Sequence, residues 1–240
     1  MSSDEARPTV QELASSLHAL IEYERAMGQD ELLRVRGSDA PEEPESEPAC
    51  AEPVSPDAAM TKLRADLGDC TRCPLHHGRN SIVFGAGNPR ARLVFVGEGP
   101  GRDEDLQGLP FVGAAGQLLT RIIEAIGFTR DEVYICNVVK CRPPSNRTPA
   151  PEEQAVCGPF LDAQLENIAP DVVVALGATA AGYLLGTDQP VGRLRGRFHP
   201  VGNTVVMVTY HPAYLLRTPE AKRAVWEDMK MVRDRLGSAR

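Results

Sequence analysis

Apolar residues along this chain fall into two textures. Four short runs, RLVFVG (92–97), VYICNVV (133–139), DVVVALG (171–177) and TVVMVTY (204–210), are almost unbroken in apolar and β-branched side chains. Such runs read as strands buried on both faces, as in a parallel sheet. Between them, residues 115–126, 152–168 and 178–185 read as helices, and Thr218-Pro219 opens a last helix expected over 219–236. The alternation predicts an α/β fold, a three-layer α/β/α sandwich around a central, mostly parallel four-stranded sheet. Ligands in such sheets gather at the carboxyl ends of the strands. The polar motifs fall there: GEGPG after the first strand, Asn137 and KCRPP at the second, HPAYLLR after the fourth.

The N-terminal quarter is different material. Over residues 9–35, Val10, Leu13, Leu17, Leu20 and Ile21 recur at three- and four-residue steps, which predicts a helical appendage over 1–37. Residues 38–59 are an acidic Pro/Glu stretch expected to be a disordered, self-repelling linker. Residues 60–240 form the body. The plain reading of the first helix is a docking or solubility appendage; the sharper one is a helix that binds another protein.

Charge follows this division. The formal net charge is −7, yet residues 1–59 hold four Arg against fourteen Asp and Glu, a net of −10, which leaves the body at +3. A mildly basic body is compatible with nucleic acid as a partner. No apolar run approaches the roughly 18 residues of a membrane span, and acids scattered through the first thirty residues argue against a secretory signal. A monomer is expected, in the cytoplasm.

Six cysteines in a chain able to bury a large core suggest metal or burial rather than a disulfide scaffold. Cys70 and Cys73 form C-T-R-C in a polar loop, and Cys141 and Cys157 lie far downstream. A C-x-x-C pair offers two thiolates, and two more brought in by the fold complete a four-thiolate site. Spacing alone leaves zinc and iron–sulfur both open. Cys136, inside the second strand, is expected in the core, and Cys50 in the linker is incidental.

The stretch VFVGEGPGRDEDLQGLPFVGAAGQLL (94–119) has glycines at 97, 99 and 101, where the chain must turn sharply and can aim amides into a cavity. A phosphate cradle is a poor reading, because Pro100 removes one amide and Asp103, Glu104 and Asp105 crowd the loop with negative charge. Phe111 is either a core plug or a stacking platform for a planar ligand. His211 stands before a proline at the end of the fourth strand, followed by Tyr214, Leu215, Leu216 and Arg217. That order suits a loop that pushes an apolar wedge into stacked bases while an arginine meets phosphate. The Asn137 amide offers a donor and an acceptor side by side, able to match one edge of a base.

Taken in order, C-T-R-C-P-L, G-E-G-P-G-R-D-E-D-L-Q-G-L-P-F-V-G, N-V-V-K-C-R-P-P-S-N-R-T-P and H-P-A-Y-L-L-R resemble the uracil-DNA glycosylase superfamily, most closely its family 4, the iron–sulfur type. The resemblance covers roughly residues 60–235. It implies a repair enzyme that flips uracil out of single- or double-stranded DNA and hydrolyses its N-glycosidic bond, with no lyase step. It implies a 4Fe-4S cluster on Cys70, Cys73, Cys141 and Cys157. It implies a uracil pocket in which Phe111 stacks on the base, Asn137 reads its polar edge, His211 lies near O2, and the Glu98–Gly99–Pro100 backbone runs alongside. Gly99 stands where better-known members carry a water-handling aspartate; Glu104 is the candidate for that task and Asp103 the alternative. A relative with a K-R-R-I-H loop is trapped covalently on its DNA, whereas K-C-R-P-P here predicts turnover. The competing readings are a non-catalytic iron–sulfur nucleic-acid-binding module, expected to have lost the H-P or N-V-V-K segment, and a Rossmann-like nucleotide enzyme, which Pro100 disfavours.

Overall fold

The computed structural model describes residues 55–237. The expected appendage over 1–37, and the linker up to residue 54, lie outside the described residues. Helix α1 (Pro56–Leu67) is capped by Ser55, whose hydroxyl accepts from the Ala58 amide, with Pro56 in the first turn. Residues 55–59, counted with the linker by composition, therefore open this helix.

The sheet has six strands, not the expected four. These are β1 (Ala86–Gly87), β2 (Leu93–Gly97), β3 (Tyr134–Asn137), β4 (Val172–Leu176), β5 (Phe198–Val201) and β6 (Thr204–Thr209), in the order β1-β3-β2-β4-β6-β5. The four central strands are the four apolar runs, and all are mutually parallel. The two additions pair antiparallel at the edges. Neither carries an apolar run: β1 has two residues, and β5 is half-exposed Phe-His-Pro-Val. Pro200 is tolerated on β5 because an edge strand can do without one amide.

Helices α2 (Arg102–Gln107), α3 (Ala114–Ala125), α4 (Pro151–Ile168), α5 (Ala178–Leu185), α6 (Val191–Leu194), α7 (Pro212–Arg217) and α8 (Lys222–Leu236) are the other α-helices among the described residues. Side chains alternate across each strand, so the sheet feeds two cores. Val94, Val96, Cys136, Val173, Ala175 and Val208 face one with Leu161 of α4 and Ala181 of α5. Leu93, Phe95, Ile135, Val174 and Met207 face the other with Leu119 and Ile123 of α3 and Met229 of α8. These are the layers of an α/β/α sandwich, and Cys136 sits in the core as expected. Buried Asp228 fastens α8 to the sheet by accepting from Thr209 Oγ1 at 2.6 Å and from Arg195 at 2.8 Å and 3.1 Å. Among the described residues no helix is long and apolar enough to cross a membrane.

Candidate active site and thiol site

A cavity of about 560 Å³ opens at the carboxyl ends of β2, β3, β4 and β6, the edge where an α/β sheet collects ligands. Glu98, Gly99, Pro100, Glu104, Phe111, Asn137, His211, Tyr214 and Arg217 all line it, although they are drawn from three motifs far apart in sequence.

The floor is made by close approach. A side chain on Gly97 would collide with Asn137 Oδ1 and lie 2.6 Å from the Phe111 ring. Phe111 holds a left-handed backbone, φ 53°, which disfavours any residue with a Cβ. Its surroundings impose it. Arg130 donates to the Phe111 carbonyl at 3.1 Å and to the Pro110 carbonyl at 2.8 Å. Glu104 Oε1 accepts from the amides of Val112 and Gly113 at 2.9 Å and 3.0 Å. The ring is thereby fixed 5.6 Å from the His211 ring, tilted by 33°.

Asn137 ends β3 with 1% of its surface exposed, and its Oδ1 has no hydrogen-bond partner among the described residues. A buried acceptor left unmatched costs free energy, so it points to a donor brought by a ligand. His211 caps α7 and accepts the Ala213 amide on Nδ1 at 3.1 Å. Burial, with help from the Arg217 charge and against that of Glu104, lowers its pKa to about 4. The ring is therefore neutral at neutral pH, and with Nδ1 accepting, its proton is on Nε2. Glu98 accepts from the Thr179 hydroxyl, which fixes its carboxylate at the wall.

Helix α7 divides the expected wedge. Tyr214 and Leu216 are exposed at 39% and 47%, but Leu215 is buried at 1% and packs in the core. Leu215 is thus corrected from a DNA-facing residue to an anchor of the helix, because successive helical residues point in different directions. Arg130, Asn146 and Arg147 were not singled out from sequence. Arg130 had no local signal, and the other two lie in the quoted R-P-P-S-N-R-T-P segment, which bends to the cavity rim.

The second site lies behind β3. Cys70, Cys73, Cys141 and Cys157 line one small cavity walled by Leu67, Ile82, Val156 and Phe160. Arg79 donates to Cys141 Sγ at 3.4 Å, and the Lys140 amide to Cys157 Sγ at 3.3 Å. Burial pushes the Cys141 thiol up and the Cys157 thiol up to about 11, against the opposing pull of Arg79 and Lys140 respectively. Four thiols lining one apolar cavity, with donors aimed at two of the sulfurs, form a donor set whose chemistry suits an iron–sulfur cluster. Among the described residues no three Cys, His, Asp or Glu side chains converge closely enough to hold a single metal ion.

Residues 84–230 match the model of the uracil DNA glycosylase superfamily. This chain belongs to that superfamily. Within it, the chain is similar to the type-4 uracil-DNA glycosylase of Thermotoga maritima, 54% identical over 167 residues that cover 67% of this chain and 86% of the relative. The type-4 enzyme of Archaeoglobus fulgidus is 44% identical over 187 residues, covering 75% and 94%. Similarity to the type-5 enzyme of Thermus thermophilus is lower, 31% over 150 residues, covering 54% and 68%. The superfamily match spans the cavity residues from Glu98 to Arg217, and Cys141 and Cys157.

Proposed function

We propose that this chain is a uracil-DNA glycosylase of the iron–sulfur type, which excises uracil from DNA by hydrolysis and leaves an abasic site. The observation that carries this reading is the unmatched Asn137 Oδ1, buried beside the Gly97 backbone and the fixed Phe111 ring in the cavity that the neutral His211 also lines. The base must leave the stack before its glycosidic bond can be reached. Phe111 then supplies the face on which it stacks. Asn137 Oδ1 accepts from uracil N3–H while its amide nitrogen donates to O4. Cytosine offers an acceptor at N3 and a donor at the exocyclic amine, so it meets like against like.

Cleavage leaves negative charge on uracil O2. The His211 Nε2–H stabilises it more strongly in the transition state than in the ground state, the condition for raising the rate. A neutral imidazole donates without holding a full positive charge in a desolvated cavity. Glu98, Gly99 and Pro100 line the base. Glu104 holds the Phe111 loop with one oxygen, and its other oxygen, beside Gly101, is our assignment for orienting water; Asp103, also on the cavity wall, is the alternative. Tyr214 and Leu216 present the wedge and Arg217 meets phosphate.

Cys70, Cys73, Cys141 and Cys157 would hold the 4Fe-4S cluster, which supplies a strong tie between loops distant in sequence. Residues 60–240 are the catalytic body on this reading, and residues 1–59 lie outside its chemistry. The test is release of free uracil from a single-stranded oligonucleotide, with cytosine- and thymine-containing strands as controls. Failure to release uracil by an iron-loaded, folded protein would favour the non-catalytic nucleic-acid-binding module.

A further inference from the structure

Lys140 is a lysine with 1% of its surface exposed. A buried lysine amine is costly unless it finds hydrogen-bond partners. Its Nζ donates to the Asn137 carbonyl at 2.7 Å and to Gln164 Oε1 at 2.6 Å. Gln164, on α4 and fully buried, is itself anchored: its Nε2 donates to the Phe84 carbonyl at 2.9 Å and to the Tyr134 hydroxyl at 3.3 Å. The same lysine places its own amide on Cys157 Sγ.

The position explains the arrangement. At Asn137 the regular part of β3 ends, and the chain beyond it is held by Val138 and Val139 donating to the Gly97 and Glu98 carbonyls at 3.0 Å and 3.1 Å and by the Val83 amide donating to the Lys140 carbonyl at 2.8 Å. The Asn137 side chain must keep Oδ1 at a fixed point in the cavity at this strand end. Lys140 folds back three residues and fixes the carbonyl of the same residue to α4.

We infer that Lys140, anchored by Gln164, is a positioning residue for base recognition: it sets the Asn137 amide from behind the pocket and ties that setting to the thiol site. The inference rests on the proposed role of Asn137 in reading uracil. Lys140 lines the thiol cavity but not the base cavity, so its effect on the base passes through Asn137.

The experiment is a double-mutant cycle in the full-length, iron-loaded protein. Lys140→Met keeps the apolar stem and removes the donor. A small displacement of a recognition group lowers rate by about ten- to a hundredfold, so Lys140→Met is expected to slow single-turnover excision by that factor. Inhibition by free uracil should weaken in parallel, while affinity for undamaged single-stranded DNA and the iron-to-protein ratio stay as in the wild type. In an Asn137→Ala background, where the positioned group is gone, Lys140→Met should cost almost nothing further. Gln164→Leu, which frees the lysine from α4, should move rate and uracil inhibition in the same direction by less, and it serves if Lys140→Met does not fold. Equal losses of rate in the Asn137 and Asn137→Ala backgrounds would overturn the inference, as would a Lys140→Met enzyme with wild-type rate and uracil inhibition. A wild-type protein that releases no uracil would instead overturn the function on which the inference rests.

Discussion

On the proposed reading His211 and Asn137 carry the chemistry at the scale of single residues, and each gives a sharp expectation. Loss of an oxyanion-type donor costs on the order of 10²–10³ in rate, so His211→Ala should lose that factor in single-turnover excision while DNA affinity changes little. The imidazole titrates near 4, below its ordinary value of 6.5, chiefly through burial and secondly through Arg217. Its rate contribution should therefore show no step near pH 6.5. Its contribution to folding is complete above about pH 6.5 and is lost as pH falls toward 4, because the unfolded chain takes up the proton first. A nuclear magnetic resonance titration should find the midpoint near 4 in the wild type and higher in Arg217→Ala. Asn137→Asp replaces the amide donor with an acceptor and should abolish activity or relax the choice of uracil over cytosine, measured on paired oligonucleotides.

Helix α7 shows at the scale of elements how adjacent residues take opposite duties. Leu215→Ala empties a core position and should cost about 2–5 kcal/mol of stability, read from a denaturant midpoint. Leu216→Ala, on the exposed side, should leave stability nearly unchanged and slow excision more in duplex than in single-stranded DNA, because only a duplex must be unstacked. Sequence grouped both with Tyr214 and Arg217, since six residues are too few for helical periodicity to separate inside from outside. The four central strands were legible because burial on both faces leaves a continuous apolar run. The edge strands were not, because β5 is half-exposed and contains Pro200 and β1 is two residues long. Likewise the motif residues of the pocket could be named in advance, but the Arg130 clamp and the Lys140–Gln164 anchor could not. Their partners lie on other elements, and nothing local marks them.

The thiol site and the acidic N-terminal quarter act on the scale of the whole molecule. Cys157→Ala should lower iron content and thermal stability together, since a bound cluster stabilises only the folded state, whereas Cys136→Ala should leave iron content unchanged. A chain beginning at residue 54, which keeps the Ser55 cap, should excise uracil and bind undamaged DNA more tightly than the full chain at low salt. The difference should shrink as salt rises, because most of the −10 charge of residues 1–59 has been removed and the remaining repulsion is screened.

The placement of the four cysteines also sets an order of manufacture. Cys70 and Cys73 emerge from the ribosome early, Cys141 only after β2 and β3 have been made, and Cys157 with α4. A nascent chain thus presents half a donor set for much of its synthesis, and N-terminal segments wait for later ones before docking. Iron delivered during that interval meets two thiols on a loop with no cavity around it. On the proposed iron–sulfur reading a cluster can be inserted only after α4 has been made, so iron-starved cells should accumulate a full-length precursor rather than truncated fragments.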